Sequence, residues 1–164
     1  MRAFIVILVS AGLAPVTSGG CGYHLGHRPP PSVQTIAVPI FDNVTFPLRR
    51  DIEYALTSAL RREIQVRTPL RLVDDDSADM TVYGKVAEFQ ERTVAETATD
   101  RKLESRFRIT VHLVIEDYVN GTVTRKTVKD TEPFSIEPGQ TLDAAQRRAV
   151  DNLSEKILLA IEAW

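Results

Sequence analysis

The chain has 164 residues, with 20 Lys and Arg against 22 Asp and Glu, a formal charge of −2. This balance excludes the net basic surface of a nucleic-acid binder, so any anion recognition must be local. The length is enough for one domain with its own core and hardly for two; a single cysteine excludes a disulfide within the monomer.

The N-terminus reads MRAFIVILVSAGLAPVTSGGC. Arg2 is a one-charge n-region, Phe4 to Val9 begin an apolar run, and small residues lead up to Cys21, the pattern of a secretory signal over residues 1–20. The run is far short of the roughly 20 residues a membrane-spanning helix needs. Gly19 and Gly20 directly before a lone cysteine resemble the bacterial lipoprotein signal, in which the cysteine is acylated and becomes the mature N-terminus; Ser18 stands where an aliphatic residue is usual. Acyl anchoring at Cys21 accounts for the lone thiol. An ordinary secretory leader is the alternative. Zinc is a poor explanation, because Cys21, His24 and His27 lack a fourth ligand nearby and His112 is the only other histidine.

Residues 21–32 contain Pro29, Pro30 and Pro31 and predict a stiff, extended tether to a domain spanning 33–164. Val33–Ile40 is β-branched and predicts a strand whose end Pro39 pushes toward an edge. Asp42, Asn43 and Thr45 are turn and cap residues, and Pro47 suits a first helical turn. Leu48, Ile52, Ala55, Leu56, Ala59, Leu60 and Ile64 follow at helical spacing, and Thr68 and Pro69 end that helix.

A short LRLV strand leads to DDDSAD, which has no calcium-loop spacing and reads as a solvated turn. Three strands are predicted next, over Met80–Val94, Glu104–Tyr118 and Thr122–Phe134, with Asn120-Gly121 as a hairpin signal between the last two. In the middle strand Phe107, Ile109, Val111, Leu113 and Ile115 point to one face, and Arg106, Arg108, Thr110, His112 and Glu116 to the other. After Pro138 and Gly139, Thr141 can cap a second helix carrying Leu142, Ala145, Ala149, Leu153, Ile157, Ile161 and Trp164 at helical spacing. The order predicts an α+β two-layer sandwich, a mainly antiparallel sheet with two helices on one face.

No nucleophile elbow, phosphate-binding glycine loop, dinucleotide fingerprint or metal motif occurs, so neither catalytic residues nor a metal or other cofactor is expected. His112 beside Arg108 and Thr110 reads as a surface histidine. The candidate ligand-binding residues are basic ones on the projecting hairpin: Arg92, Arg101, Lys102, Arg106 and Arg108, with Arg125 and Lys126 on the next strand. Their guanidinium forks suit phosphate or carboxylate; as ordinary strand charges they would serve solubility and edge protection.

CGYHL at the start of the mature chain, followed by IAVPIFDNVTFPLRRDIEYALTSALRREI, resembles the LptE family of lipopolysaccharide-assembly lipoproteins. The strand and turn are also similar to periplasmic proteins of the TolB-amino-terminal and CsgG-like type, which leaves a periplasmic envelope module as the alternative. The LptE resemblance implies a non-enzymatic outer-membrane lipoprotein on the periplasmic face, held to the membrane by a lipid anchor at Cys21. It implies that the protein plugs an LptD-like β-barrel and assists lipopolysaccharide insertion; the charge balance argues against a nucleic-acid partner. Only Cys21 carries over from the family residue by residue; the basic residues rest on physical grounds.

Overall fold

A computed structural model describes residues 32–96, 102–135 and 141–162, with side chains described for 32–92, 106–133 and 141–162. Cys21, the leader, most of the tether, Arg101 and Trp164 lie outside the described residues. The elements are β1 (Thr35–Ala37), β2 (Asp42–Asn43), α1 (Ile52–Arg67), β3 (Arg71–Leu72), β4 (Met80–Glu96), β5 (Lys102–Asp117), β6 (Thr122–Ser135) and α2 (Leu142–Glu162). The strands form one mixed sheet in the order β3-β1-β4-β5-β6, with β2 also on β4. The long strands β4, β5 and β6 are antiparallel, whereas β1 runs parallel to β3 and β4, and β2 runs parallel to β4. The α+β class with a mostly antiparallel sheet is as expected, with a parallel edge added.

The core lies between the sheet and the two helices. Ile109, Val111 and Leu113 from β5, Ile52, Leu56 and Leu60 from α1, and Leu153 and Ile157 from α2 are all buried in one cluster, as their spacing predicts. Ion pairs staple the helix layer. Arg62 meets Asp151 at 2.6 Å and Arg67 meets Glu155 at 2.7 Å, both from α1 to α2.

Three expectations at element ends are corrected. The first strand stops at Ala37, because Pro39 has no amide to donate and the Val38 carbonyl is taken by the Arg61 guanidinium at 2.9 and 2.6 Å. The first helix begins at Ile52, so Leu48 and Pro47 fall outside it; Asp51 sits in the left-handed region at φ 66° and redirects the chain there. Ala55 and Leu142 are exposed. Thr141 does cap α2, accepting the Ala144 amide at 3.2 Å.

The aspartate-rich turn is more than a solvated one. Asp75 accepts the Thr81 hydroxyl at 2.8 Å and the Tyr83 hydroxyl at 2.9 Å. A hydrogen bond with Tyr118 first, and then the one that Asp75 accepts, hold the Tyr83 phenol above the ordinary tyrosine range. Asp79 accepts the backbone amides of Gln34 and Thr35, both at 2.9 Å. Among the described residues no three His, Cys, Asp or Glu gather to hold a metal ion. No described helix is long and apolar enough to cross a membrane.

Candidate functional site

The side of the sheet away from the helices is built by strand parity. On β5 the inward residues Phe107, Ile109, Val111, Leu113 and Ile115 are buried, which places Arg106, Arg108, Thr110, His112, Val114 and Glu116 on the outer face. Pairing then fixes the neighbours. Arg106 stands directly across from Arg92, Arg108 from Gln90, Thr110 from Glu88 and His112 from Lys85 on β4. On the other flank β6 sets Thr131 beside Arg108, Lys129 beside Thr110, Thr127 beside His112 and Arg125 beside Val114.

A bulge decides the composition of this face. The pairing of β4 shifts between Val86 and Glu88, which reverses the parity of the strand beyond Ala87. Odd-numbered Lys85 and even-numbered Arg92 therefore share one side. Lys85, Arg92, Arg106, Arg108, Arg125 and Lys129 line it, against the carboxylates of Asp42 beside Lys85, of Glu88 and Glu116, and of Asp75, which accepts from the outward Thr81 and Tyr83. Glu88 is engaged by the Thr110 hydroxyl at 3.0 Å. The excess is cationic although the whole chain is weakly acidic.

Arg92 opposite Arg106 is the defining juxtaposition, since like charges across a strand pair repel one another. The Arg92 guanidinium reaches the Gln90 amide oxygen at 3.4 Å, and both arginines are exposed, as is Arg108. Three guanidinium groups on adjacent outward positions present many donors in planar forks, the geometry that takes phosphate or carboxylate oxygens in pairs. His112 is exposed and its Nδ1 lies 2.9 Å from the Thr127 hydroxyl.

Of the predicted residues, the structure brings together Arg92, Arg106 and Arg108. Lys102 opens β5, but its side chain is outside the described set. Lys126 is a correction: it points to the helix side, where its ammonium donates to the Ala160 carbonyl at 2.7 Å, so it does not join Arg125. Lys85 and Lys129 were missed. Their outward phase follows from the β4 bulge and the β6 pairing, neither of which shows in the local pattern.

Comparison with known proteins agrees with this architecture. Residues 33–161 match the LptE lipopolysaccharide-assembly family. No curated protein sequence matches the chain. Among solved structures, a hypothetical protein of Chlamydia trachomatis aligns with a TM-score of 0.57 at 11% identity, covering 80% of this chain and 97% of that one. An uncharacterized lipoprotein B of Nitrosomonas europaea aligns with a TM-score of 0.55 at 13% identity, covering 80% and 83%. The PelC dodecamer subunit of Paraburkholderia phytofirmans aligns with a TM-score of 0.53 at 16% identity, covering 84% and 95%. At these identities the likenesses speak for the fold alone. The family match, by contrast, covers nearly the whole described domain, and the chain belongs to the LptE family of lipopolysaccharide-assembly proteins.

Proposed function

We propose that this protein is a non-enzymatic outer-membrane lipoprotein, anchored through acylated Cys21 on the periplasmic face, which plugs an LptD-like β-barrel and assists lipopolysaccharide insertion. The observation that carries the ligand reading is the cationic outer face of the sheet, with Arg92, Arg106 and Arg108 on adjacent positions. Its phosphate-matching donors suit the anionic headgroup of lipopolysaccharide. Arg101 and Lys102 are further basic residues of the same stretch of sequence. A polar strand face also suits a water-lined barrel lumen, and family membership supports the barrel as partner.

The test is purification from detergent-solubilised membranes, with co-purifying β-barrel and bound lipopolysaccharide both quantified. Wild type is expected to carry both. A variant with Arg92, Arg106 and Arg108 changed to Gln should retain the barrel and lose most of the lipopolysaccharide. Unchanged lipopolysaccharide in that variant returns the arginines to ordinary strand charges, and absence of any barrel removes the plug.

A further inference from the structure

Four large apolar side chains stand in water on one short segment. Ile40, Val44, Phe46 and Leu48, between β1 and α1, are 54%, 53%, 92% and 62% exposed. A scattered apolar residue on a surface is ordinary, but four within nine residues mark an interaction surface. Hydrogen bonds hold the loop in this form. Asn43 donates its side-chain amide to the Arg49 carbonyl at 2.6 Å and to the Glu53 carboxylate at 2.7 Å, and its carbonyl oxygen accepts the Thr45 amide at 3.1 Å. Thr45 accepts the Arg49 amide at 2.9 Å and is buried, while the apolar residues on either side of it are displayed.

The place of the loop on the sheet decides what it can hold. β2 runs parallel to β4 with Asn43 across from Val86, and the Val44 amide donates to the Val86 carbonyl at 3.0 Å. The chain therefore leaves β2 in the direction of Arg92. At the far end of the loop the Arg49 guanidinium lies 5.3 Å from the centre of the Phe89 ring, so residues 44–49 run beside residues 86–89 of β4. Arg92 follows three residues after Phe89, roughly 10 Å further along the strand. Arg106 stands across from it, and Arg108 across from Gln90. An apolar strip and the cationic end of the outer face thus meet along one edge of the sheet.

We infer that the loop from Val44 to Leu48 is an acyl-chain subsite, which takes the apolar part of the same ligand whose phosphates the arginines take; the inference rests on the lipopolysaccharide reading above. Charge singles out this occupant. The loop itself is neutral, because Asp42 and Asp51 balance Arg49 and Arg50, whereas the strand end beside it carries three arginines. A wholly apolar partner would gain nothing from those arginines, and a small anion would gain nothing from the strip. An anionic amphiphile uses both, with its head on Arg92, Arg106 and Arg108 and a chain laid back along Phe46, Leu48 and Val44. Apolar burial adds to the guanidinium contacts, and the two together exceed either alone. Because this contact needs no bilayer, it is open to a plug enclosed within a barrel.

The experiment uses the full chain, processed in cells and purified in one detergent at fixed concentration. Two probes are compared: lipid A, and the same phosphorylated disaccharide after removal of all its acyl chains. Each affinity is read as the ratio of variant to wild type for one probe, so the detergent contribution cancels. Phe46→Gln with Leu48→Gln is expected to weaken lipid A binding roughly tenfold through lost apolar burial, and to leave the deacylated probe within about twofold of wild type. Both side chains are exposed, so the urea midpoint should not move. Arg92, Arg106 and Arg108 changed to Gln should weaken both probes, and Phe46→Leu, which keeps an apolar side chain, should keep the lipid A affinity. Equal effects of the loop variant on the two probes, or no effect on either, overturn the acyl-chain subsite and leave the anion site standing. Loss of the co-purifying barrel with lipid A affinity intact overturns it in favour of a protein partner. A wild type that binds neither probe overturns the lipopolysaccharide reading and the subsite with it.

Discussion

The ring of Phe41 occupies the space that a Cβ on Gly84 would need. Gly84 is an inward position of β4, opposite buried Leu113, and Phe41 fills the place a side chain would take there. The Phe41 amide is tied to the Thr57 hydroxyl at 3.0 Å, which keeps this segment close to α1. Glycine in a strand interior is ordinarily a weakness; here the close approach of another ring requires it.

Gly84→Ala is therefore expected to destabilise the fold by about 1–3 kcal/mol through overpacking, read as a lower urea midpoint. Phe41→Leu combined with Gly84→Ala should recover part of the loss, because the two positions share one space. Additive losses in the double variant would show that the ring and the glycine do not compete.

Thr35 and Asp79 predict the acid limb of stability. The Asp79 carboxylate accepts the Gln34 and Thr35 amides, and the Asp79 amide donates to the Thr35 hydroxyl at 2.8 Å. The Gln34 amide first, then the Thr35 groups, hold the Asp79 carboxyl below its ordinary value of 3.8. A lowered folded-state pKa adds stability that is present above the unfolded value and is lost as pH falls through the folded one. Wild type should thus lose stability below about pH 4, and Asp79→Asn should flatten that part of the profile while being less stable near neutrality. Urea unfolding between pH 2.5 and 7 measures both; parallel profiles would assign the acid limb to other carboxylates.

Arg92 and Arg106 face each other across β4 and β5, so ligand affinity and stability should respond with opposite signs. Arg92→Gln removes one of two opposed charges and is expected to raise stability by a few tenths of a kcal/mol, given the solvent screening at exposed positions. The same change should weaken lipopolysaccharide binding. The stability gain should vanish near 1 M salt, where screening lengths fall to about 3 Å. A gain that persists at high salt would have a cause other than charge.

Much of the fold was legible because single faces carry clean periods. The alternation from Arg106 to Glu116 gives the phase of β5, and the helical spacing of Ile52, Leu56, Leu60, Leu153 and Ile157 gives the buried stripes of both helices. What escaped was set by pairing. β6 carries charges on both faces, so Lys126 and Lys129 look alike in sequence although one meets α2 and the other the outer surface. Lys85 joins Arg92 only through the bulge after Val86. Leu48 has the spacing of a core residue, but the left-handed Asp51 starts the helix after it.

The edge strand β6 turns charged groups toward α2, and Asp130 with Lys156 is the pair most exposed to test. Asp130 is buried and its Oδ1 accepts from the Thr131 amide at 2.7 Å and from the half-exposed Lys156 ammonium at 2.5 Å. Inward charges on an edge strand discourage pairing with another chain, but each needs a partner once desolvated. Lys156→Met keeps the apolar stem and removes the cation, leaving a buried carboxylate with the Thr131 amide. That variant is expected to lose about 1–3 kcal/mol, the cost of an unsatisfied buried polar group. Asp130→Val together with Lys156→Met removes both charges and should regain most of the stability, since apolar replacement of a buried pair is often neutral or favourable. The double variant should also self-associate more readily, because β6 then lacks one of its inward charges. Sedimentation velocity alongside urea unfolding separates the two effects. A stable double variant that associates no more than wild type would mean that Lys126, Glu132 and Pro133 suffice to guard the edge.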